Sequence, residues 1–367
     1  MRKHWLDNLR WVTVLLVLFY HVIYFYNNKG VFGGIGGFGE YPDCPQYQDI
    51  VMYVLYPWFM PLLFMLAGIS ARYALRKQSG RKWFGARTRK LLVPGTIGLF
   101  VFQWMVGYFN TAVAANEDLM NVTGFARYIM WSFSGIGPLW FVQLLWLLSL
   151  VLLLVRALDR KERFYQWCGK AGIVAIVLLG LLFWAGEQTL IRHPRPESAD
   201  GLMNLYKPVF YLICLLLGYF VFAHDAVQEK LKKYWVPLLA AAVVSGGVLI
   251  GTTFGQDNTS AVYMSSPLNC LYGYLACLAL MGWFQARFDR TGRFAGYMTR
   301  SSFGLYVVHY LVIASLGYMM KLYTPLCPWA MYLILTAAVF TLSPLLYEIL
   351  HRIPVVRWCV LGEKRKK

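Results

Sequence analysis

Acidic side chains are scarce: 17 Asp and Glu stand against 35 Lys and Arg, and charged residues of both signs make up only 14% of the 367 positions. So little charge excludes an ordinary soluble globular domain, in which about a quarter of residues are charged. Cysteine motifs are missing too. The seven cysteines (Cys44, Cys168, Cys214, Cys270, Cys277, Cys327 and Cys359) show no CxxC and no Cys/His ligand spacing, so neither a metal site nor a disulfide framework is expected. Cys44 and Cys327 fall in loops expected on one side of a membrane and could pair, although two unlinked thiols are the simpler reading. A G-x-S-x-G element is absent, so nothing calls for an acyl-serine intermediate.

What is abundant is apolar surface. Hydrophobic residues make up 59% of the chain, with 24 Phe, 25 Tyr and 14 Trp. This composition belongs to an all-α polytopic membrane protein. Ten stretches are long enough to cross an apolar layer of about 30 Å as helices: residues 8–27, 49–74, 91–115, 137–156, 171–190, 205–223, 235–254, 266–285, 302–320 and 329–350. A formal net charge of +18 would suit a nucleic-acid binder only if the cations shared one exposed face, and here they sit in short clusters between apolar runs. Counted on alternate sides, 29 Lys and Arg fall on the side of both termini and six on the other, so the positive-inside rule places both termini in the cytoplasm. No soluble segment of useful size is left over, and residues 1–367 read as a single transmembrane domain.

Three features imitate motifs. MRKHW followed by an apolar run resembles a signal peptide but lacks a small-residue cleavage site, so it is expected to remain as the first span. Gly34 to Gly39 spells GxGxxG, yet no strand precedes it and it lies on the outer side, where a flexible loop fits better than a nucleotide site. Asn121 and Asn258 match glycosylation acceptors on the outer side, which matter only in a host that glycosylates.

Ionisable groups at membrane depth are costly and mark functional candidates. Two lie clearly within spans, His21 and His309. Ten residues separate Arg10 from His21, which puts both on one helical face about 16 Å apart. His309 lies about 12 Å along its helix from Ser301, a depth comparable to that of His21. A neutral imidazole can take a proton from a hydroxyl, and the planar fork of Arg suits phosphate oxygens. For Arg10 the simpler alternative is membrane anchoring with a contact to Asp7. Eight cations (Arg72, Arg76, Lys77, Arg81, Lys82, Arg87, Arg89 and Lys90) crowd 19 positions after the second span, more than orientation alone needs. They are candidates for holding an anionic donor, with anionic lipid headgroups as the competing partner. GPLWFVQLLW, from Gly137 to Trp146, opens the fourth span at its expected outer end, with Trp140 and Trp146 as belt or packing aromatics and Gln143 in need of a hydrogen-bond partner. Glu348 is expected to pair with Arg352, four residues on.

Five stretches, in order from residue 6 to residue 309, resemble the acyltransferase 3 family of integral membrane acyltransferases. LDNLRWVTVLLVLFYH is similar to its opening motif and FMLAGISARYAL to its FF-x-x-SGF pattern, with AGI in place of SGF. ARTRKLLVP resembles its basic element, usually RxxR, PLWFVQLL its LWF-L motif and SSFGLYVVH its SY-x-x-Y-x-x-H motif. The branch that adds succinyl groups to periplasmic glucans looks closest, through WFMPLLFMLAGISARYALRK and KWFGARTRKLLVP.

The resemblance implies a bacterial inner-membrane O-acyltransferase. An acetyl or succinyl group would move from cytoplasmic acyl-CoA to a hydroxyl of an extracytoplasmic glycan or lipid-linked carbohydrate, with no tightly bound cofactor. On it, His21, His309 and Tyr306 are the catalytic candidates. Arg10, Arg72, Arg76, Arg87, Arg89 and Lys90 would bind the donor, and Trp140 and Gln143 would lie on the acceptor side. The alternative is a glycan or lipid-linked sugar transporter, against which stand the absence of a visible repeat and of a mid-span carboxylate.

Overall fold

The computed structural model describes residues 3–25, 47–114, 122–192, 199–323 and 326–364. Gly34 to Gly39, Cys44, Asn121 and therefore the Cys44–Cys327 pairing lie outside them. Helices and turns make up the described residues, with no strand among them. The longer helices are α1 (His4–Phe25), α2 (Phe59–Leu75), α3 (the interrupted run Gly80–Val113), α4 (Gly124–Ser134), α5 (Trp140–Leu158) and α6 (Ile173–Glu187). They continue with α7 (Pro208–Leu217), α8 (Asp225–Thr253), α9 (Pro267–Arg287), α10 (Arg293–Tyr323), α11 (Pro328–Arg352) and α12 (Pro354–Leu361).

Among the described residues nine helices are long and apolar enough to cross a membrane, which makes the chain an all-α polytopic membrane protein. The tenth expected span, 171–190, is the shorter α6. At 1.5 Å per residue its 15 residues rise only about 22 Å. Helix ends also differ from the apolar windows. The stretch 224–234, expected as a loop, forms the start of α8, and the backbone leaves helical geometry at Tyr234 (φ −106°, ψ 16°), three residues before Pro237. A proline ring clashes with the carbonyl four residues back, so it bends such a helix. Hydropathy finds the apolar window, whereas the helix continues into polar sequence.

The described residues fall into two compact units. The first takes them from Met1–Thr13, Met52–Phe84 and Leu147–Thr299. Here α2 and α7 meet backbone to backbone. A Cβ on Gly68 would lie 2.1 Å from the Leu215 carbonyl oxygen, and one on Gly218 2.1 Å from that of Met65. Small residues that let helices approach closely are the usual means of packing in lipid, where the hydrophobic drive is weak. The AGI variant of the second-span motif keeps the glycine this contact needs. The start of α1 is tied in by the Asn8 amide, which donates to the carbonyls of Phe288 and Arg290 at 2.7 Å each, and by Trp5 N–H, which donates to Asp289 Oδ1 at 2.9 Å.

The second unit takes the described residues of Val14–Val51, Gly85–Trp146 and Arg300–Lys367. Residues 116–136, expected as an outer loop, include the 11-residue helix α4, packed on α3 with Asn110 Nδ2 donating to Ser134 O at 3.3 Å. A turn at Gly137–Leu139 then leads into α5. Arg352 does not pair with Glu348. Its neighbour His351 instead meets Glu363 across the α11–α12 corner, Nδ1 to Oε2 at 2.8 Å. The turn at Ile353 brings Glu363 back to that helix end.

Candidate functional site

The second unit brings His21 and His309 together. Each sits deep in a long apolar helix, and residues 288 apart in sequence become hydrogen-bond partners, His21 Nδ1 to His309 Nε2 at 3.1 Å. Nδ1 of His309 lies 2.7 Å from the carbonyl oxygen of Tyr306, one turn earlier. A helical side chain leans back toward the N-terminus, which aims the ring at that carbonyl.

Hydrogen-bond logic then fixes the direction of the chain for the neutral pair. A carbonyl oxygen only accepts, so His309 carries its proton on Nδ1, leaving Nε2 as an acceptor. His21 therefore donates from Nδ1, and its Nε2 keeps the lone pair. His309 is fully buried, whereas His21 is only partly so. The basic nitrogen thus belongs to the more accessible member.

Aromatic rings enclose the pair. Tyr310 stands edge-on to His21 at 5.5 Å between centroids, and Tyr20 and Tyr24 flank it at 5.6 and 6.4 Å. The Tyr306 hydroxyl donates to the carbonyl of Pro138 in the Gly137–Leu139 turn. This turn, which opens the candidate span Gly137–Leu158, therefore stands beside the histidines. Gln103 of α3, 3% exposed, donates to Val307 O at 3.1 Å and fixes the same turn of α10. Gln103 was not singled out in the sequence, although a lone amide within LFVFQWMVGY was the available signal. Irregular backbone within a membrane helix is tolerated where protein surrounds it, and such breaks often line binding sites.

Among the acceptor-side candidates, Gln143 finds its partner in Gly95 O, to which Nε2 donates at 2.7 Å. Trp140 lies at the start of α5, with its ring 6.4 Å from that of Phe141. Trp146, half-buried, donates from Nε1 to Thr88 Oγ1 at 3.1 Å, a packing contact between α5 and α3.

The candidate donor cations divide into two kinds. In the first unit, Arg10 donates to Ser70 Oγ at 2.6 Å and to Asp7 Oδ1 at 3.3 Å. Arg72 is 3% exposed and heavily engaged: Nη2 lies 2.8 Å from Glu162 Oε2, Nη1 donates to the Tyr219 hydroxyl at 3.3 Å, and Cζ sits 3.5 Å over the ring centre of Tyr165. Arg76 donates to the Tyr165 hydroxyl at 3.2 Å. Both therefore brace the loop that follows α5. The hydrogen bond from Arg72 holds the Glu162 carboxyl below the usual carboxylate range.

In the second unit, Arg87, Arg89 and Lys90 are half-buried around a π-helical turn at Thr88–Leu92. Lys90 Nζ donates to Leu361 O at 3.2 Å and lies 4.3 Å over the ring of Phe303, while Arg89 Nε is buried with no hydrogen-bond partner. A buried ion pair was also missed. Lys207 Nζ sits 3.2 Å from Glu187 Oε1, with the side chains 4% and 5% exposed. In sequence Lys207 was only one of six outward cations and Glu187 a residue near a span end. Asn258 is fully buried, so its amide is not open to glycosylation.

Residues 3–348 match the model of the acyltransferase 3 family, described as an acyltransferase domain. No curated protein and no solved structure matches the chain.

Proposed function

The chain belongs to the acyltransferase 3 family, and we propose that it moves an acetyl or succinyl group from acyl-CoA to a hydroxyl of an extracytoplasmic glycan or lipid-linked carbohydrate. One observation carries this reading: the hydrogen-bonded pair of His21 and His309, polarised so that the free lone pair falls on Nε2 of His21. A base of this kind is what an attacking hydroxyl needs.

In the mechanism, the acceptor oxygen attacks the thioester carbonyl carbon as its proton passes to His21 Nε2. The tetrahedral intermediate collapses, the C–S bond breaks, and the thiolate of CoA leaves with the proton from His21. His309 accepts the Nδ1 hydrogen bond throughout, so it is a positioning residue that also stabilises the imidazolium. Both His309 nitrogens are engaged, as is the Tyr306 hydroxyl. Orienting His21, not holding the oxyanion, is therefore the role assigned to them.

Donor phosphates are assigned to the basic turn that carries Arg87, Arg89 and Lys90, because Arg89 Nε is buried there with no hydrogen-bond partner and the turn lies in the same unit as His21 and His309, whereas Arg10, Arg72 and Arg76 lie in the other unit. Trp140 and Gln143, which follow the turn beside Tyr306 within two helical turns, are assigned to the acceptor. CoA acts as a substrate, not a resident cofactor. The excess of cations on the side of the termini supports cytoplasmic termini in a bacterial inner membrane. Likeness of the second-span region to glucan-succinylating members favours succinyl as the first donor to try.

The test uses the purified full chain in lipid nanodiscs with radiolabelled acetyl- or succinyl-CoA and periplasmic glucan. Acylated glycan is expected from the wild type and none from His21→Ala at equal protein level. Product formed by His21→Ala at the wild-type rate overturns the mechanism, and His21-independent glycan transport without acylation overturns the activity.

A further inference from the structure

The C-terminal helix α12 lies beyond the residues that match the family, 3–348, and it brings a buried cation to the basic turn of α3. Arg357 is 6% exposed, and its Nε and Nη2 are buried with no hydrogen-bond partner. After α12 the chain hooks through Gly362 at φ 60°, where a Cβ would lie 2.6 Å from Arg89 O and 2.8 Å from the Cα of Lys90. Glu363 N–H donates back to Arg357 O at 3.3 Å, and Lys90 Nζ donates to Leu361 O at 3.2 Å. The two segments are thus in direct contact, and they carry three cations: Arg89, Lys90 and Arg357.

The carboxylate in this neighbourhood is Glu363, held by His351 at 2.8 Å and by the Tyr347 hydroxyl at 3.5 Å. It leaves the two arginines with buried N–H groups unmatched. A charged donor buried without a partner costs more than the roughly 1–3 kcal/mol of a neutral one. One such donor is tolerable, but three on two touching segments call for an anion. The guanidinium fork fits phosphate oxygens in pairs.

We propose that Arg357, with Arg89 and Lys90, forms a phosphate-binding site in which α12 closes over the basic turn of α3. Its ligand is a phosphate group of the acyl-CoA donor or of an anionic lipid headgroup, and α12 adds to the donor-binding residues one that the matched domain does not contain. The donor form of the proposal rests on the proposed function.

The experiment measures binding by the full chain in two arms. In phosphatidylcholine nanodiscs, CoA is titrated by calorimetry. In CoA-free samples, thermal stability is followed as phosphatidylglycerol replaces phosphatidylcholine. Each arm compares the wild type with Arg357→Gln, Arg357→Lys and the control Arg352→Gln, an exposed cation on the neighbouring helix end. A loss of about 10-fold or more in CoA affinity for Arg357→Gln, partial for Arg357→Lys and absent for Arg352→Gln, supports the donor phosphate. Loss of the phosphatidylglycerol response alone, with CoA binding unchanged, supports the site and assigns it to lipid. Wild-type protein that binds no CoA but shows an Arg357-dependent lipid response defeats the donor reading and leaves the site standing. Unchanged behaviour of Arg357→Gln in both arms overturns the site, whatever the fate of the proposed activity. Should Arg357→Gln fail to fold, Arg357→Lys decides: wild-type CoA affinity and lipid response in that variant overturn the bidentate site.

Discussion

Nε2 of His309 accepts a hydrogen bond from Nδ1 of His21 at 3.1 Å, and His309 in turn spends its own Nδ1 proton on the carbonyl of Tyr306. The order matters, because it leaves one free lone pair in the pair, on His21. Replacing His309 by Gln therefore should not mimic the loss of His21. His309→Gln is expected to lower kcat by about 10²-fold, within the usual range for general acid–base groups, with KM for donor and acceptor nearly unchanged. His21→Gln is expected to leave no measurable transfer. Steady-state kinetics with protein level matched by immunoblot checks both. Equal residual activity in the two variants would contradict the asymmetry.

Tyr306 acts on the same pair from both of its ends, by its carbonyl on His309 and by its hydroxyl on Pro138. Tyr306→Phe keeps the carbonyl and removes the hydroxyl, which leaves the Pro138 oxygen to other contacts. A stability loss of about 1–2 kcal/mol is expected, together with a fall in kcat at constant KM. The variant's pH–rate profile should keep the wild-type shape, because the hydroxyl positions the turn and takes no proton. A shifted profile would place the phenol in the proton path.

A lone imidazole in an apolar run is conspicuous, and a rise of 1.5 Å per residue converts its position into depth, so the matching depths of His21 and His309 were legible from sequence. Their contact was not. It depends on which helices lie side by side, and nothing local to LVLFYHVIYF or LYVVHYLVI encodes that. The eight-cation loop shows the opposite limit. In sequence Arg72 and Arg89 look alike, yet one packs against Glu162, Tyr165 and Tyr219 in the first unit while the other lies in the basic turn of the second, and each keeps a buried Nε without a hydrogen-bond partner. The helix that leads into the turn beside Tyr306 was hidden from hydropathy, because the 11 residues of α4 are too short for a span.

Arg72 provides a test that separates bracing from donor binding. Glu162 is 44% exposed at its side chain, so Glu162→Gln should cost less than about 1 kcal/mol. Arg72→Met should cost more, about 1–3 kcal/mol, because it also removes the contacts to Tyr219 and Tyr165. The folded carboxyl of Glu162 is held below its ordinary value of 4.5, so its stabilising share is present above that pH and is lost as pH falls through the lowered value. Thermal denaturation at pH 7 and pH 4 should therefore show Glu162→Gln closing on the wild type at the lower pH. Donor KM should be unchanged in both variants. A raised KM for Arg72→Met without a stability loss would return this residue to the donor site.

Lys207 and Glu187 form a pair with both side chains at least 95% buried, and Lys207 also lies 5.4 Å from the ring centre of Tyr56. Breaking a buried pair from one side strands a charge and costs about 3–5 kcal/mol, whereas removing both charges together can be nearly neutral. Glu187→Gln and Lys207→Met should each lower thermal stability sharply, and the double variant should recover most of it. The coupling in that cycle is expected to exceed about 2 kcal/mol, well beyond the additivity seen for distant sites. Activity per folded molecule should stay near wild type in the double variant, since the pair lies in the first unit and His21 and His309 in the second. Simple additivity of the two losses would show that the charges are held independently, and loss of turnover in a well-folded double variant would instead give the pair a part in transfer.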